Sequence, residues 1–184
     1  MGFHTFDPAN ADRLEDPSRF RFCSREELLQ HLPQTDGVTV LDHGSGSGFY
    51  TDELAPFLGQ LVAFDKQPAM HRRYQERGVP GNVGLVTGDV DTLPFEAGTF
   101  DGAVSTMSFH EVATPASLAE LERCLVSGGP AVIVDWSANG DGRSGPPVDE
   151  RFTALEARNR LLDQGFTSHV TEERTETFLV VVEA

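Results

Sequence analysis

The residue types most able to do chemistry stand in a glycine-rich turn, Gly44-Ser45-Gly46-Ser47-Gly48, between a short apolar run and a helical pattern. A turn of this kind between a strand and a helix lets the backbone approach a nucleotide. Asp65 follows 21 residues after Gly44, at the end of the next apolar run. A carboxylate at that point can accept hydrogen bonds from both hydroxyls of a ribose. The turn and the acid together predict a ligand of adenosine type.

The spacing within the turn narrows the choice of ligand. Proteins that bind dinucleotides use G-x-G-x-x-G/A, whose third small residue allows close packing near a pyrophosphate, but here Phe49 fills that position. Asp42 lies two residues before the first glycine, and its carboxylate suits an ammonium or sulfonium group better than a pyrophosphate. S-adenosylmethionine joins adenosine to such a cationic amino acid and is the predicted cofactor. Two alternatives stay open, an NAD-dependent oxidoreductase and a non-catalytic S-adenosylmethionine-binding module.

A second group of polar residues, 105–111, follows the predicted fourth strand and therefore borders the crevice where ligands of open α/β sheets bind. An unperturbed imidazole titrates at about pH 6.5, so His110 can accept a proton from a substrate O–H or N–H. The alternative is that His110 packs over the methionine portion of the cofactor and positions it. Glu111 is expected to cap a helix or to face solvent.

Three further candidates have competing packing roles. Asp135 and Trp136 end the predicted fifth strand beside the expected acceptor pocket, although a tryptophan at a strand end is more often partly buried packing. Arg151 either binds an anionic substrate group or, as the favoured alternative, lies on the surface or at a helix start with salt partners of little energetic weight. The hydroxyl of Tyr50 either reaches the methionine carboxylate or packs in the core.

Alternating strand and helix patterns must position these residues. Predicted strands cover 38–42, 61–64, 83–87, 100–106, 131–135, 168–172 and 177–182, with helices after the first, second, fourth and fifth. The helix from Pro115 is expected to close at Gly128-Gly129, and the last helix to carry Phe152, Leu155 and Leu162. This order predicts an α/β fold with a mostly parallel sheet, helices on both faces, and a closing hairpin that makes one strand antiparallel.

Residues 1–35 are polar and interrupted by prolines, and they contain two helix starts, Asp7-Pro8 and the capping box at 24–27. This segment, which includes His4, Phe6 and Arg21, is predicted to form a helical lid over the cofactor; the alternative is that it covers a sheet edge. Residues 36–184 are the predicted cofactor-binding domain.

Composition limits the partners. The 184 residues carry 29 acidic and 14 basic side chains, a net charge of −15, and Lys66 is the single lysine. Such a surface repels nucleic acids and anionic lipids, so the expected substrate is a small molecule, with the oligomeric state left open. The acidic, lysine-poor chain favours a halophile's cytoplasm, where salt screens the self-repulsion. No apolar run approaches a membrane span, and the first residues do not resemble a secretory signal.

Other chemistries lack their motifs. The six histidines show no H-E-x-x-H spacing and the two cysteines do not make a zinc ligand set, so no metal site is predicted. The G-x-S-x-G elbow of serine hydrolases and the G-x-x-x-x-G-K-[ST] loop of NTPases are both absent from the sequence.

Several motifs in order along the chain resemble those of the class I S-adenosylmethionine-dependent methyltransferases, in particular the small group related to the ubiquinone/menaquinone biosynthesis methyltransferases. LDHGSGSG is similar to the family's first motif, L-D-x-G-x-G-x-G, and VAFDKQPAM to the motif at the end of the second strand. GDVDTLPFEAGTFDGAVS resembles the third and fourth motifs. LERCLVSGGPAVIVDW is similar to the helix and fifth strand, with Ser127 where proline is usual. The resemblance covers residues 36–184.

The resemblance implies a seven-stranded sheet with an antiparallel seventh strand and methyl transfer to a small-molecule acceptor. It implies that Asp65 binds the ribose, that Met70 and Val90 lie beside the adenine, and that Asp89 bonds the adenine amino group. Ser105 is implied to bind the cofactor's amino group through its backbone carbonyl. The Asn/Asp-Pro-Pro-aromatic stretch of enzymes that methylate base amino groups is absent, which disfavours DNA and RNA. The predicted cofactor-binding residues are Asp42, Gly44, Ser45, Gly46, Gly48, Tyr50, Asp65, Lys66, Met70, Asp89, Val90, Ser105 and His110, and His110 is also the candidate catalytic base.

Overall fold

The computed structural model describes residues 13–184, in which seven strands form one sheet. The strands are β1 (Thr39–His43), β2 (Gln60–Asp65), β3 (Val83–Thr87), β4 (Gly102–Thr106), β5 (Pro130–Trp136), β6 (Thr167–Glu173) and β7 (Thr177–Glu183). Their order is β3-β2-β1-β4-β5-β7-β6. Strands β1 to β5 pair in parallel, and β7 is antiparallel to both of its neighbours, β5 and β6. The predicted fold class, a Rossmann-like, mostly parallel seven-stranded sheet with an antiparallel last strand, is confirmed.

Helices connect the strands. They are α1 (Arg25–His31), α2 (Phe49–Leu54), α3 (Pro68–Arg77), α4 (Phe109–Val112), α5 (Pro115–Cys124) and α6 (Ala154–Leu162). Side-chain caps explain where several of them begin. Ser24 Oγ accepts the N–H of Glu27 at the start of α1, as the sequence predicts, and Thr153 and Glu156 form a reciprocal capping box on α6.

Apolar clusters fill both sides of the sheet. One contains side chains from α4, α5 and α6, and the other contains side chains from α1 and α2. Burial on both faces explains why a central strand such as β5 reads as a continuous apolar run rather than as an alternating pattern.

One helix end and one short helix differ from the sequence prediction. Helix α5 ends at Cys124 and does not reach Gly128, because Leu125 is extended and forms an isolated parallel bridge with Phe100. Helix α4 is not predicted at all, since four residues are too few to show a helical period.

Helix α6 buries a different face from the predicted one. It begins after Phe152 and turns Ala154, Ala157 and Leu161 toward the core. The larger Leu155 and Leu162 are 52% and 38% exposed. Small alanines face the sheet here, which allows the helix to pack closely against β6 and β7.

The topology places the glycine turn beside the second group of polar residues. Strands β1 and β4 are neighbours, while the chain continues from β1 to β2 and β3 on the other side. At such a switch point a crevice opens at the carboxyl ends of the strands. The glycine turn follows β1 and residues 107–111 follow β4, so both border this crevice.

The N-terminal predictions are only partly covered. His4, Phe6 and the Asp7-Pro8 helix start lie outside the described residues. A 3₁₀ helix spans Pro17–Arg21. Across residues 13–184, every helix is too short or too polar to cross a bilayer.

Candidate active site

A cavity of about 470 Å³ lies at the carboxyl ends of the central strands. Most of the predicted cofactor-binding residues line it, namely Gly44, Ser45, Gly46, Tyr50, Asp65, Lys66, Met70, Val90 and His110. The remaining predicted residues, Asp42, Gly48, Asp89 and Ser105, are close in sequence to the lining but are not part of it.

The backbone of the glycine turn has the conformation that its composition predicts. Gly44, Gly46 and Gly48 all adopt positive φ, at 84°, 57° and 85°. Glycine reaches this region without the steric cost that a Cβ would add. The N–H groups of Gly44 and Ser45 donate to the carbonyl of Phe64, at 2.9 and 3.0 Å, which ties the turn to β2.

Close approach requires Gly44 to lack a side chain, whereas Gly46 faces open space. A Cβ on Gly44 would lie 2.5 Å from Ser108 Oγ, so the turn must pass directly beside the loop after β4. A Cβ on Gly46 would have Leu14 Cδ1 as its nearest neighbour, at 3.7 Å. Gly46 therefore leaves room in the cavity for a ligand to approach the backbone.

The carboxylate of Asp65 braces this turn. Its Oδ2 accepts the N–H of Gly46 at 2.8 Å, and its Oδ1 accepts the N–H of Gln67 at 2.8 Å. A carboxylate oxygen has capacity for two hydrogen bonds, so each oxygen keeps one position for a ligand. Asp65 is 8% exposed and lines the cavity.

Asp42 is a buried acid at the end of β1. Thr51 Oγ1 donates to its Oδ2 at 2.5 Å, while its Oδ1 has no hydrogen-bond partner among the described residues. Burial raises the pKa of Asp42 from its ordinary value of 3.8 to about 7, against the opposing effect of the Thr51 hydrogen bond; nearby Asp65 raises it further. The Thr51 hydrogen bond and the charge of Arg19 therefore compensate the ionised carboxylate only in part.

The variant Asp42→Asn is expected to stabilise the ligand-free protein at neutral pH by on the order of 2 kcal/mol. The folded-state pKa lies above the unfolded one, so ionisation costs stability as the pH rises from 3.8 toward 7. The difference in the free energy of unfolding between Asp42→Asn and the parent should therefore grow from pH 3.8 to about 7 and stay constant above that. Urea unfolding from pH 4 to pH 8 measures it. The exposed Asp36→Asn is the control; equal stability of Asp42→Asn and the parent at pH 8 would contradict the account.

A wall of the cavity that the sequence did not predict combines a cation with two aromatic rings. The guanidinium of Arg19 lies 5.3 Å from the ring centroids of both Phe49 and Tyr50. It donates to the carbonyl of Leu14 at 2.8 Å, not to a carboxylate. Burial lowers the pKa of Arg19, and a desolvated guanidinium gains most from an anionic partner.

The hydroxyl of Tyr50 contacts the N-terminal segment. It donates to the carbonyl of Cys23 at 3.1 Å and lies 3.3 Å from that of Arg19. Tyr50 is 2% exposed and belongs to the core cluster beside α1 and α2. Of the two predicted roles, the structure shows core packing of Tyr50, with its hydroxyl bonded to backbone carbonyls, although the residue also contributes to the cavity lining.

Ion pairs fasten the first described residues over the turn. Glu15 pairs with Arg73 at 2.5 Å and with Arg77 at 3.6 Å. Arg77 also donates to the carbonyl of Ser47, within the glycine turn, at 2.7 Å. Leu14, beside Glu15, contributes to the cavity lining.

Of the residues predicted to lie beside the adenine, two line the cavity and one lies outside the lining. Met70 is 1% exposed and lines the cavity together with Val90. Asp89 is exposed, and its Oδ1 accepts the N–H of Asp91 at 3.0 Å. The apolar side chains are therefore placed to contact a flat ring, and the carboxylate of Asp89 lies in the adjoining turn.

The loop after β4 has a strained point at the cavity. Met107 has φ 56°, the one positive φ at a non-glycine position in the described chain, which costs on the order of 1 kcal/mol. Its N–H is held by the carbonyl of Val134 at 2.8 Å. Ser105 is buried behind this loop, with its Oγ 3.2 Å from Ser108 Oγ. Strain of this kind concentrates where backbone groups must be aimed at a ligand.

His110 and Asp135 form a buried pair at the cavity wall. His110 Nδ1 lies 2.9 Å from Asp135 Oδ2, and the backbone N–H of His110 donates to the same oxygen at 2.6 Å. Burial is the largest single influence and opposes a charge on the ring, but the carboxylates of Asp135, Glu111 and Glu150 together outweigh it and raise the pKa of His110. Glu111 Oε1 is 3.9 Å from His110 Nε2, and Lys66 pairs with Glu111 at 3.6 Å.

Arg151 is buried, which corrects the favoured expectation of a surface arginine. Its guanidinium donates to the carbonyls of Ser144 and Pro146 and lies 5.6 Å from the ring of Trp136. A Cβ on Gly145 would lie 2.4 Å from the indole, so this loop packs directly on Trp136. Arg151 thus fixes the loop that forms the outer wall beside Trp136. Backbone carbonyls, which no sequence pattern reveals, are its partners.

Comparison with known proteins agrees with this geometry. A family model described as "Methyltransferase domain" matches residues 41–133, half of the chain. A crystal structure of an S-adenosylmethionine-dependent methyltransferase from Aquifex aeolicus superposes with a TM-score of 0.87 and 29% identity, covering 97% of this chain and 98% of that one. The chain belongs to the methyltransferase domain family, and its fold is that of an S-adenosylmethionine-dependent methyltransferase, as the motifs predict.

Curated relatives extend beyond this chain. The biotin biosynthesis bifunctional protein BioHC of Cellvibrio japonicus is 35% identical over 109 residues, which are 58% of this chain and 22% of that protein. The ubiquinone/menaquinone biosynthesis C-methyltransferase UbiE of Coxiella burnetii is 28% identical over 123 residues, 62% of this chain and 49% of that protein. The chain matches half or less of the length of these relatives. Family membership confirms S-adenosylmethionine as the predicted cofactor.

Proposed function

We propose that this chain transfers the methyl group of S-adenosylmethionine to a small-molecule acceptor. The observation that carries the proposal is that one cavity is lined both by a glycine turn braced by Asp65 and by His110 with its buried carboxylate partner. The first part suits a nucleoside with a cationic amino-acid end, and the second suits an acceptor that must be oriented or deprotonated.

The residues present fit S-adenosylmethionine. The free positions on the Asp65 oxygens suit ribose hydroxyls, and Met70 and Val90 give apolar walls for adenine. Arg19, a desolvated cation that donates a hydrogen bond to a backbone carbonyl, suits the ligand's carboxylate. Asp42, which interacts with the charge of Arg19 but keeps one oxygen without a hydrogen bond, favours positive charge nearby. When bound, S-adenosylmethionine supplies an activated methyl group on a sulfonium.

The protein's own contribution is orientation and exclusion of water. Alignment of two reactants in a site is worth about 7–11 kcal/mol, so a fixed cavity can promote methyl transfer without strong acid–base help. Residues 1–35 act in this proposal as a lid on the domain formed by 36–184. The Glu15 ion pairs to α3 and the Tyr50 hydrogen bonds hold the described part of the lid in place.

The NAD-dependent alternative receives less support. Phe49 stands where a dinucleotide site needs a small residue, and its ring packs 5.0 Å from those of Phe20 and Tyr50. That aromatic group occupies the space in which a pyrophosphate would approach the helix. A non-catalytic binding module would use the same cofactor contacts, so only a transfer assay separates it from an enzyme.

Calorimetric titration in molar KCl is expected to show binding of S-adenosylmethionine and S-adenosylhomocysteine, with NADH weaker than both. The variant Arg19→Met should lower the affinity for both adenosyl ligands about tenfold, because a charge-assisted bond is lost. Arg143→Met, at a side chain that is 87% exposed, is the matched control. Tighter binding of NADH would contradict the proposal.

A radiolabelled methyl group on S-adenosylmethionine then tests transfer. Incubation with extract metabolites is expected to label small molecules and to leave nucleic acid unlabelled. Cofactor binding with no labelled product would identify a binding module in place of an enzyme.

The proposed setting is a cytoplasm of high salt. It is supported by the net charge of −15 and the single lysine, because salt shortens the range over which like charges repel. The same charge supports a small molecule over nucleic acid as the acceptor.

A further inference from the structure

The end of the cavity around His110 carries information on the acceptor. Resting on the proposed methyl transfer, we propose that the region lined by His110 and Trp136 takes a neutral, weakly acidic hydroxyl on an apolar ring, a phenol-type acceptor. Its proton passes to His110 Nε2, and Asp135 is the positioning residue that holds the imidazole.

Asp135 fixes which nitrogen of His110 is available. The carboxylate is fully buried and accepts the N–H groups of His110 and Trp136, at 2.6 and 2.7 Å, in addition to its contact with Nδ1 at 2.9 Å. A carboxylate only accepts hydrogen bonds, so Nδ1 carries the proton. Nε2 makes no hydrogen bond to a described residue and is left to accept a proton from a ligand. His110 lines the cavity, so the ligand would be there.

The charges around Nε2 disfavour an anionic acceptor. Glu111 on α4 has a carboxylate oxygen 3.9 Å from Nε2, Glu150 also lines the cavity, and Asp135 lies behind the ring. Of the cations near this region, Lys66 already pairs with Glu111 at 3.6 Å, and Arg151, beside Trp136, donates to backbone carbonyls. A carboxylate or phosphate brought to this place would meet net repulsion. The acceptor is therefore neutral when it binds.

The rest of this region is apolar. The side chains that line it are Met107, Val112, Trp136, Pro146 and Pro147. Trp136 is held in place by the edge of Phe22, whose ring centroid is 4.6 Å away, and by the loop that Arg151 fixes. A rigid indole with prolines nearby fits an apolar ring better than a flexible polar chain.

The pKa values of the two groups favour a phenolic hydroxyl as the donor of the proton to His110. A phenolic hydroxyl has a pKa of about 10 and an imidazole of about 6.5, and the raised pKa of His110 narrows this gap. As the O–H bond breaks, the proton binds Nε2, and the oxygen electron pair forms the O–CH₃ bond. The C–S bond breaks with its electrons left on sulfur. The products are a methyl ether and S-adenosylhomocysteine, and the proton later leaves His110 for water.

The test compares two phenols of different acidity in one variant. His110→Asn is expected to slow methylation of 4-cresol, which is un-ionised at pH 8, by about a hundredfold or more. 4-Nitrophenol is largely ionised at that pH, so the charge argument predicts that it binds weakly to the parent and the variant alike. Its methylation rate at saturating concentration should nevertheless change little in His110→Asn, because the phenolate needs no base. His169→Asn, at an exposed histidine on β6, is the control and should leave both rates unchanged. Comparison within one folded variant separates proton transfer from a loss of structure.

Asp135→Asn tests the positioning role. With 4-cresol, the parent rate should rise with pH through the raised pKa of His110, because the neutral ring is the base. Removing the Asp135 carboxylate should lower the maximal rate and shift the rise of the rate with pH to lower pH. If the rise of the rate with pH did not shift in Asp135→Asn, or if His110→Asn slowed both phenols equally, His110 would not be the base positioned by Asp135.

Acceptor class is tested with benzoate and benzylamine beside the phenols. Transfer to either of these and not to 4-cresol, with normal S-adenosylmethionine binding, would overturn the acceptor class and leave the proposed methyl transfer standing. Absence of S-adenosylmethionine binding would overturn both.

Discussion

Replacing Asp65 by alanine is expected to weaken S-adenosylmethionine binding ten- to hundredfold. Each charge-assisted hydrogen bond to the ribose is worth about 1.5–3 kcal/mol, and about 1.4 kcal/mol corresponds to a tenfold change in affinity. The loss has a second source, because the carboxylate also holds the N–H of Gly46 in the glycine turn. Calorimetric titration with S-adenosylmethionine and S-adenosylhomocysteine measures the combined effect.

The same variant is expected to lose stability. From the sequence alone, Asp65→Ala would leave folding nearly unchanged, but the structure shows two backbone N–H groups, of Gly46 and Gln67, that depend on this carboxylate. Leaving both without their acceptor costs roughly 2–4 kcal/mol. Urea unfolding without ligand checks this figure.

Asp101→Ala separates the two effects. Asp101 Oδ2 accepts the N–H of Thr39 at 2.8 Å, at the start of β1 and away from the cavity. This control should lose stability like a cap variant yet keep its affinity for S-adenosylmethionine. If Asp65→Ala bound the ligand as tightly as Asp101→Ala, Asp65 would not be the ribose partner.

The features that the sequence predicts correctly are those encoded by neighbours along the chain. Apolar runs give the strands, and the glycine spacing and the acid after β2 place the ligand turn. Local caps such as that of Ser24 fix helix starts. The mostly parallel pairing follows from the alternation of strand and helix with right-handed crossovers, although the order of the strands does not.

The features that the sequence misses depend on contacts between distant segments. Arg19 lines the cavity because its guanidinium packs against the rings of Phe49 and Tyr50, which lie some 30 residues away in the sequence. Arg151 is buried because carbonyls of the preceding loop satisfy it. Carbonyls belong to every residue, so a buried arginine held by them has no sequence signature. The sequence names Asp135 only as a pocket wall, and its bond to His110 Nδ1 becomes visible only where β5 lies beside the loop after β4.

Two residues in or next to the cavity lining lower the stability of the ligand-free chain. Asp42 is a buried acid with an unsatisfied oxygen, and Met107 holds a backbone conformation that costs energy. Neither arrangement benefits the fold by itself. Both are consistent with a site in which stability is given up for ligand binding.

The variant Gly48→Ala is expected to destabilise the protein by roughly 2–6 kcal/mol, the sum of backbone strain and overpacking. Gly48 has φ 85°, and a Cβ there would lie 2.2 Å from Tyr74 Cε1. The ring of Tyr74 is fully buried and cannot easily move, because its hydroxyl donates to Asp52 Oδ1 at 2.6 Å. Asp52 is itself paired with Arg77 at 2.8 Å. This loss is a large part of the 5–15 kcal/mol that stabilises a typical domain.

Three further variants isolate the cause of that loss. Gly37→Ala has a similar φ of 88° with nothing near its Cβ, so it should show only the backbone cost of about 1 kcal/mol. Gly46→Ala should also lose little stability but should bind S-adenosylmethionine more weakly, because its Cβ enters the cavity. In the double variant with Tyr74→Ala, the cost of Gly48→Ala should fall to that of Gly37→Ala, since the clash is gone. Additive costs in urea unfolding would show that Tyr74 is not the reason why position 48 requires glycine.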